Sequence, residues 1–448
     1  MNNLRRLALT AFVCTLAAVF LTPVNAAPSP SEVKRIKLID NNHLPQKVFV
    51  VDAGHNRRFV RDLFNVIKEI NLSEQLVGDG VIKLHIIPSG SDPIKGCGIS
   101  PEDAKNFVEV SKIYSTSDIW MQDCMELCSA VTKDNKLIPA IYDARRGRGL
   151  GRYPKALAQD QDLVYYLNPA TVGDHGDYGG NIEVTPFDDI LVVGNTITKP
   201  CYKMFEENGY KGRIFVGKVD WLQVGHIDEY LSFIPTAWAP GGYSIVKADP
   251  ILALDLIRNC PPEELEKVSH YDKQFLLKVQ ALLKKQMTNP DAGKGTAEGD
   301  FIALNYTVSD YINDTVGELK KYIVDVTGKP RDFEEVAWPC LFEGRNPSNP
   351  RNCHAFLPGV VNLLVLRDHL IVPATHVPAF DKVILARLRA QGNKVHFVDD
   401  TPYHTSMGEI HCGTNTLRNP HKVILTKKRL EAIQKTRRTF NEIYNKDK

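Results

Sequence analysis

The sequence predicts a mixed α/β fold. Short runs rich in β-branched and other apolar residues recur along the chain. Several of these runs are separated by stretches whose apolar residues repeat with the period of an α-helix. The strand-like runs are KVFVVDA near Val50, KLHIIP near Ile86, DIWMQD, KLIPAIYDA, DILVVGN, RIFVGKVDWL, YSIVKAD and VNLLVLRDHLIVPA.

Helical patterns lie between several of these runs. They are RRFVRDLFNVIKEI, PPEELEKVSHYDKQFLLKVQALLKKQ, which Pro262 opens, and DKVILARLRAQ, which Gly392 ends. Proline suits the first turn of a helix and glycine the position after its last turn. The segment around Gly293 and the proline-rich stretch around Pro347 are typical of loops. Because similar strand and helix patterns flank both loops, we expect one domain.

The first residues predict a secretory leader. A pair of arginines precedes the apolar run LALTAFVCTLAAVFLT and then the small-residue sequence VNA. This order of basic, apolar and cleavable parts is typical of a signal peptide. The run is shorter than the ~20 apolar residues of a membrane-spanning helix, which disfavours an uncleaved anchor. We expect residues 1–26 to be removed, residues 27–448 to form the mature domain, and the protein to be secreted or periplasmic.

Charge excludes some partners. Lys and Arg number 55 against 53 Asp and Glu, and the formal net charge is +2. Such a close balance of positive and negative residues is not typical of a nucleic-acid-binding protein. No segment after the leader has the long apolar pattern of a membrane span, so we expect neither nucleic acid nor membrane as a partner of the mature protein.

The number of cysteines does not determine which of them form disulfides. Of nine cysteines, Cys14 lies in the leader, so eight remain in the mature chain. An even set can pair completely outside the cytosol, but a cysteine kept free for catalysis leaves an odd number. Cys340 and Cys353 bracket the loop PCLFEGRNPSNPRNC and are the expected bridge.

Three segments interrupt the apolar strand pattern with polar residues. DIWMQDCMEL contains Asp123, WLQVGHIDEYLSFIP contains His226 and Asp228, and GEIHCGTN contains Cys412. On a strand, a His and an Asp two positions apart share a face. Taken singly, each residue has an ordinary structural interpretation: an edge or cap carboxylate, a buried His–Asp pair or half of a metal site, and a small buried thiol.

The combination of a thiol, an imidazole and two carboxylates suits one substrate class. A guanidinium is planar and cationic, and two carboxylates can bind its paired N–H donors. The thiolate then attacks the central carbon, the histidine protonates departing ammonia, and the same histidine activates the water that hydrolyses the thiouronium. A cysteine protease needs an oxyanion hole instead and has no use for two carboxylates beside its nucleophile.

Five ordered segments resemble the catalytic domain of protein-arginine deiminases, from about Val48 to about Pro420. They are DIWMQDCMEL, GGNIEV, WLQVGHIDEYLSFIP, LPGVVNLLVL and GEIHCGTN, and five in order are more specific than one. The resemblance implies the pentein fold, a five-bladed α/β propeller of ββαβ-type units with the active site on its pseudo-fivefold axis. It also implies hydrolysis of peptidyl arginine to peptidyl citrulline and ammonia.

The resemblance implies roles for the four central residues. Cys412 would be the nucleophile, His226 the general acid/base, and Asp123 and Asp228 the carboxylates that bind the guanidinium. We expect the neighbouring His226 and His411, together with the cationic substrate, to favour the Cys412 thiolate relative to the ordinary pKa of about 8.5.

The resemblance also implies a surface for the substrate. Trp120 would pack along the aliphatic stem of arginine, and Arg146 and Arg148 match the arginines at the family's peptide-binding surface. Ser406 and Met407 stand where the animal enzymes carry basic residues, which leaves the substrate preference open.

One of the family's two catalytic-domain calcium sites is implied. Gln122, Glu126 and Glu183 would supply side-chain oxygens, and Gly179 and Ile182 backbone carbonyls. In the other site Cys124, Ala144 and Gly147 replace oxygen ligands and only Asp143 is left, which does not suit a hard cation. We also expect the amino-terminal immunoglobulin-like domains of the animal enzymes, with their calcium sites, to be absent.

These observations favour a secreted protein-arginine deiminase, with alternatives. The same thiol, histidine and carboxylates serve free arginine or agmatine, and an amidinotransferase is a further possibility within the same chemistry. A catalytically silent peptide- or calcium-binding protein is the alternative outside enzymes. The presence of all four catalytic positions argues against a catalytically silent protein.

Overall fold

The structure is a computed structural model that describes residues 33–444. The expected leader, residues 1–26, lies outside the described residues. None of the described helices is both long enough and apolar enough to cross a bilayer.

Short strands make up the sheets. In chain order they are β1 (Val33–Lys37), β2 (His43–Asp52), β3 (Lys83–Pro88), β4 (Val108–Val110), β5 (Met125–Thr132), β6 (Leu137–Asp143), β7 (Val164–Leu167), β8 (Ile182–Val184), β9 (Leu191–Gly194), β10 (Ile214–Gly217), β11 (Leu231–Pro235), β12 (Tyr243–Asp249), β13 (Glu334–Pro339), β14 (Phe342–Arg345), β15 (Arg351–Ala355), β16 (Leu364–Leu366), β17 (His369–Pro373), β18 (Lys394–Val398) and β19 (Thr414–Val423).

Helices connect many of these strands. They are α1 (Arg57–Ser73), α2 (Pro93–Gly96), α3 (Pro101–Phe107), α4 (Tyr153–Asp160), α5 (Lys199–Phe205), α6 (Pro250–Asn259), α7 (His270–Gln286), α8 (Ala297–Thr327), α9 (Pro378–Ala390), α10 (Thr401–His404) and α11 (Lys427–Tyr444).

One pairing pattern repeats through the sheets: an antiparallel pair whose second strand pairs in parallel with a strand reached through helix. It occurs in β5–β6–α4–β7, β8–β9–α5–β10, β11–β12–α6 to α8–β13 and β16–β17–α9–β18. The fifth unit joins distant parts of the chain, because β19 pairs antiparallel with β2, which pairs in parallel with β3 across α1. The mixed α/β class is confirmed, while closure of the five ββαβ units into a propeller stays a prediction.

Helix α1 shows how the sequence period produces packing. Phe59, Leu63, Phe64 and Ile67 recur three or four residues apart and are almost completely buried against the sheet that contains β2 and β3. Side chains at this spacing lie on one face of a helix. Burial of each such side chain contributes about 1.5–3 kcal/mol relative to exposure, so this face holds α1 on the sheet.

Two segments predicted as strands are turns. In DIWMQD, the residues Gln122–Cys124 form a short 3₁₀ turn, and β5 begins only at Met125. His226 precedes the 3₁₀ turn Ile227–Glu229, and β11 begins after it, so His226 and Asp228 do not share a strand face. A side chain inside a strand can reach only the two faces of its sheet. A side chain in the turn ahead of the strand reaches the space between neighbouring units, where buried polar groups find partners.

The helical region in the middle of the chain also differs from the prediction. The helix expected from Pro262 is divided into a 3₁₀ turn, Pro262–Leu265, and α7, whose amino terminus is capped by Ser269. The loop around Gly293 ends at Thr296. The Thr296 hydroxyl accepts a hydrogen bond from the Gly299 amide and starts α8. A hydroxyl at this position satisfies an amide that otherwise has no partner in the helix.

The described cysteines are all free thiols, so the predicted bridge between Cys340 and Cys353 is wrong. Both side chains are buried, and burial raises the pKa of each thiol to about 12. The loop between them is closed by backbone pairing of β14 with β15. Backbone pairing of these two strands therefore closes the loop for which the sequence predicted a disulfide.

Candidate active site

Each of the five ββαβ units contributes the segment just ahead of its first strand. The turn Gln122–Cys124 leads into β5, Gly179–Asn181 into β8 and Ile227–Glu229 into β11. Asn362 stands ahead of β16, and Cys412 ahead of β19. The turn Gln122–Cys124 contacts the turn Gly179–Asn181, which in turn contacts Ile227–Glu229. This equivalence explains why motifs that are far apart in the sequence meet in one place.

The Cys412 thiol lies among buried polar groups. Its Sγ is 3.5 Å from Asp228 Oδ2 and accepts a hydrogen bond from Asn362 Nδ2 at 3.2 Å. The Cys412 amide donates to Asn362 Oδ1 at 3.0 Å. One amide side chain therefore holds both the backbone and the sulfur of this cysteine.

Asn362 has no role in the sequence-based predictions, although LPGVVNLLVL contains it. Its buried Nδ2 also lies 3.3 Å from the carbonyl oxygen of Asp228, so it joins two of the four predicted catalytic residues. The signal that could have found it is an amide within an apolar run directly ahead of a strand. Such a group must find hydrogen-bond partners when it is buried.

Burial and charge both act on the Cys412 thiol. Burial raises the pKa of the thiol well above its ordinary value, and the charges of Asp228 and Asp123 raise it further. The site without a ligand therefore favours the neutral thiol, and the expectation of a thiolate beside a bound cationic substrate stays a prediction. A cation bound between the carboxylates would cancel their effect, since an opposite charge favours the ionised thiol.

Asp228 has one oxygen engaged and one without a partner. Oδ2 pairs with His411 Nδ1 at 2.8 Å. Burial favours the neutral imidazole, but the hydrogen bond and the charge of Asp228 outweigh it and raise the pKa of His411. The buried Oδ1 makes no hydrogen bond within residues 33–444. A buried carboxylate oxygen without a donor is costly, so this atom is suited to bind an incoming N–H group.

His226 presents one ring nitrogen to the site. Its Nε2 lies 2.9 Å from the carbonyl oxygen of His175, and this contact requires a proton on Nε2. The buried Nδ1 has no hydrogen bond in the described part of the chain and lies 3.9 Å from Asp123 Oδ1. A methyl group on Gly180 would lie 2.6 Å from Nδ1 and 3.2 Å from both Asp228 oxygens. A glycine in GGNIEV thus leaves the room in which His226 and Asp228 approach each other.

Arg146, which the resemblance places at the peptide-binding surface, lines the catalytic cavity but is buried. Only 3% of it is exposed. Its Nη1 donates to Asp123 Oδ2 at 2.6 Å, and its Nε and Nη2 donate to Asp118 at 2.7 and 2.9 Å. Asp118 was missing from the sequence-based predictions. Arg146 therefore positions the Asp123 carboxylate, and three of its five N–H donors are used by Asp118 and Asp123.

A cavity of about 430 Å³ leads to Cys412. The Arg148 side chain, 70% exposed and 4.0 Å from Asp118, lies at its rim. Trp120 forms part of the wall and packs edge-on against Tyr403. Ser406 and Met407 also line the cavity. The substrate-binding roles of these residues stay predictions.

The predicted calcium ligands face a neighbouring cavity. Gln122, Glu126 and Glu183 line it together with His411. Gln122 Nε2 donates to Glu126 Oε1 at 2.6 Å, and His411 Nε2 lies 4.0 Å from Glu183 Oε1. Since His411 also contacts Asp228, this cavity adjoins the predicted catalytic groups.

The donor set fits a hard cation. Burial raises the pKa of Glu126, and the charge of Glu183 raises it further, while burial raises the pKa of Glu183 to about 7. A cation that accepts several oxygens would relieve this destabilisation of the ionised carboxylates. A side chain at Gly179 would collide with Glu126 Oε1 and the Gln122 carbonyl oxygen, so glycine allows these oxygens to converge. Carbonyl ligation by Gly179 and Ile182 stays a prediction.

The residues of the other calcium site have protein partners instead. Asp143 accepts hydrogen bonds from the Arg145 amide and the Tyr165 hydroxyl. The Cys124 thiol donates to the Met121 carbonyl at 3.2 Å.

Comparison with known proteins gives one family. Residues 212–424 match the family model for protein-arginine deiminase. Human protein-arginine deiminase type-3 is 28% identical over 332 residues, which cover 68% of this chain and 47% of the relative. Human type-4 is 27% identical over 336 residues, which cover 68% and 47%. The chain therefore spans about half the length of the curated relatives it matches.

Solved structures show the same fold. A crystal structure described as a candidate peptidyl-arginine deiminase aligns with a TM-score of 0.52 and 15% identity, over 86% of this chain and 99% of that chain. The agmatine deiminase of C. jejuni aligns with a TM-score of 0.50 and 16% identity, over 86% and 96%. At these identities the likeness shows the fold alone.

Proposed function

We infer that this chain, which belongs to the protein-arginine deiminase family, hydrolyses a C–N bond of a guanidinium group, and we propose arginine within a peptide or protein as its substrate. The observation that carries the proposal is the buried Asp228 beside Cys412, with one carboxylate oxygen that has no donor within residues 33–444. A guanidinium has the charge and the N–H geometry to fill this gap.

The first half of the proposed reaction begins when the guanidinium binds. The guanidinium donates to Asp228 Oδ1 and to the Asp123 carboxylate, and its charge lowers the pKa of the Cys412 thiol. His226 Nδ1 takes the thiol proton, and the sulfur attacks the guanidinium carbon to give a tetrahedral adduct. The C–N bond breaks, and ammonia leaves with the proton that His226 returns.

The second half releases the product. Neutral His226 takes a proton from water, whose oxygen attacks the carbon of the thiouronium. The C–S bond then breaks, the hydroxyl of the adduct loses its proton to solvent, and the substrate becomes a ureido group. Cys412 leaves as the thiolate and takes back the proton held by His226, which restores the starting thiol and neutral imidazole. Asn362 keeps the sulfur in place through its hydrogen bond, and His411 orients Asp228.

The lining of the cavity favours peptidyl arginine over small guanidines. Asp123 is the only carboxylate among the described residues that line it, and Arg146 already pairs with it. The α-ammonium of free arginine and the terminal amine of agmatine would therefore lack a carboxylate partner at the rim. Peptidyl arginine brings neutral amides, and the exposed Arg148 can donate to their carbonyl oxygens. The agmatine deiminase fold is the specific observation behind the second candidate.

The leader pattern supports a location outside the cytosol for the mature protein, which we include in the proposal. Arginine-containing proteins in that location would then be the substrates.

A substrate comparison tests the proposal. We expect the purified protein to convert an acetylated arginine amide and arginine peptides to citrulline, detected by mass spectrometry. Free L-arginine and agmatine should show kcat/KM values at least about tenfold lower, because a charged group without a partner costs about 1–3 kcal/mol. A higher kcat/KM for either small guanidine would favour the second candidate. No turnover of any guanidine would leave the catalytically silent alternative.

Calcium should bind at the cavity lined by Gln122, Glu126 and Glu183. We expect calorimetry to find one site and thermal unfolding to shift upward with calcium, because binding to the folded state stabilises it. Glu183→Gln should remove this shift, whereas Glu102→Gln, an exposed residue elsewhere, should keep it. Two or more tight sites, or an unchanged shift in Glu183→Gln, would contradict the assignment.

A further inference from the structure

A second depression lies beside the catalytic cavity, and we call it the basic groove. It is open to solvent and has a volume of about 600 Å³. The side chains that define it are Ile113, Arg145, Arg152, Lys155, Leu167 and Val172.

The basic groove carries an excess of positive charge. Arg152 and Lys155 are exposed, and neither forms an ion pair within 4 Å among the described residues. Arg145 is half-buried, and its Nη1 donates to the Ala170 carbonyl oxygen at 2.8 Å. The Asp143 carboxylate also lines the groove, and its charge interacts with Arg145 and Lys155. The groove therefore presents two exposed cations and stays cationic, although the chain as a whole carries a formal net charge of only +2.

Apolar side chains accompany these charges. Leu167 is 49% exposed, Val172 is 53% exposed and Ile113 is 37% exposed. A single exposed apolar residue is ordinary on a protein surface. Three around one concave, charged surface are typical of a place where another chain binds.

The basic groove adjoins the catalytic cavity directly. Arg146 lines both. Gly147 lines the cavity, and a methyl group added to it would lie only 3.4 Å from Val172, which lines the groove. A chain whose arginine enters the cavity can therefore continue across Gly147 into the groove.

We propose that the basic groove binds an acidic segment with apolar residues in the protein substrate, next to the arginine that reacts. This inference rests on the proposed function, because it assigns the sequence context that the same site selects. Opposite charge favours such a segment and disfavours a basic one. The apolar side chains of the segment cover Leu167 and Val172.

Kinetics with matched peptides test the proposal. We expect an arginine peptide with a Glu- and Leu-containing flank to have a higher kcat/KM than one with a neutral polar flank. The double variant Arg152→Ala, Lys155→Ala should lower kcat/KM for the acidic peptide about 5–10-fold at low salt, an effect typical of a few partly exposed charge pairs. It should leave the acetylated arginine amide unchanged.

A charge-matched control separates the groove from net charge. The double variant Lys133→Ala, Lys211→Ala removes two exposed cations that do not line the groove, and it should leave both peptides unaffected. Equal kcat/KM values for the acidic and neutral peptides, or equal effects of the two double variants, would overturn the proposal.

A binding measurement separates this inference from the proposed function. Fluorescence anisotropy should show a labelled Glu- and Leu-rich peptide without arginine binding to the wild-type protein, and more weakly to Arg152→Ala, Lys155→Ala. This binding without any turnover would support the groove while the proposed function fails. Groove-dependent binding of a single-stranded oligonucleotide, with no binding of the acidic peptide, would overturn the proposal.

Discussion

Cys412→Ser is expected to lower turnover of an arginine peptide by at least about 10⁴-fold, a loss typical of removing a covalent nucleophile. A serine hydroxyl is much less acidic than a thiol, and the carboxylates that already raise the pKa of Cys412 would oppose its ionisation still more. Binding of the substrate should survive, because Asp123 and Asp228 remain. Single-turnover kinetics and isothermal titration measure the two effects separately.

The control for this prediction is Cys97→Ser. Cys97 is also a buried free thiol, but it packs in the core formed by α1 and its sheet. The same chemical change at this position should leave the rate constant of the chemical step nearly unchanged. Wild-type turnover by Cys412→Ser, or an equal loss in both variants, would reject Cys412 as the nucleophile.

His226→Asn is expected to lower kcat by about 10²–10⁴-fold, the usual contribution of a general acid–base group. Asparagine can keep a hydrogen bond to the His175 carbonyl oxygen, but it cannot accept the proton that Nδ1 takes from the thiol in the proposed reaction. The loss should therefore fall mainly on kcat rather than on KM. Steady-state kinetics with an acetylated arginine amide measure both constants.

His85→Asn is the matched control for His226→Asn. His85 is another buried histidine, and its partner is Glu109 on the outer strand β4. Its replacement should keep the kcat of the wild type, even if the free energy of unfolding falls. A His226→Asn variant with a normal kcat would show that another group transfers the proton.

The burial of Arg146 could not be predicted from the sequence. A glycine-rich basic segment is typical of an exposed loop, and Arg148 lies in solvent as this pattern predicts. Arg146, two residues earlier, is buried by Asp118 and Asp123. Whether an arginine is exposed depends on which carboxylates the fold brings to it, and Asp118 is 28 residues away in the sequence.

The role of Asn362 was missed for a related reason. Its amide is unremarkable in the sequence, but the fold places it between Cys412 and Asp228, which are 184 residues apart. The segment ahead of the first strand is equivalent in each ββαβ unit, and this equivalence becomes visible only when the strand pairing is known. The strand boundaries near Asp123 and His226 were wrong because these turns follow the geometry of the site rather than the local apolar pattern.

The sequence by itself predicted the α/β class, the resemblance to protein-arginine deiminases and the four candidate catalytic residues, because apolar periodicity and ordered motifs are properties of the chain. Only the tertiary structure showed the surroundings that raise the pKa of Cys412, the burial of Arg146 and the free thiols of Cys340 and Cys353. A pKa, an exposed fraction and a disulfide all depend on which groups lie within a few ångströms. Those groups come from segments that the linear sequence keeps far apart.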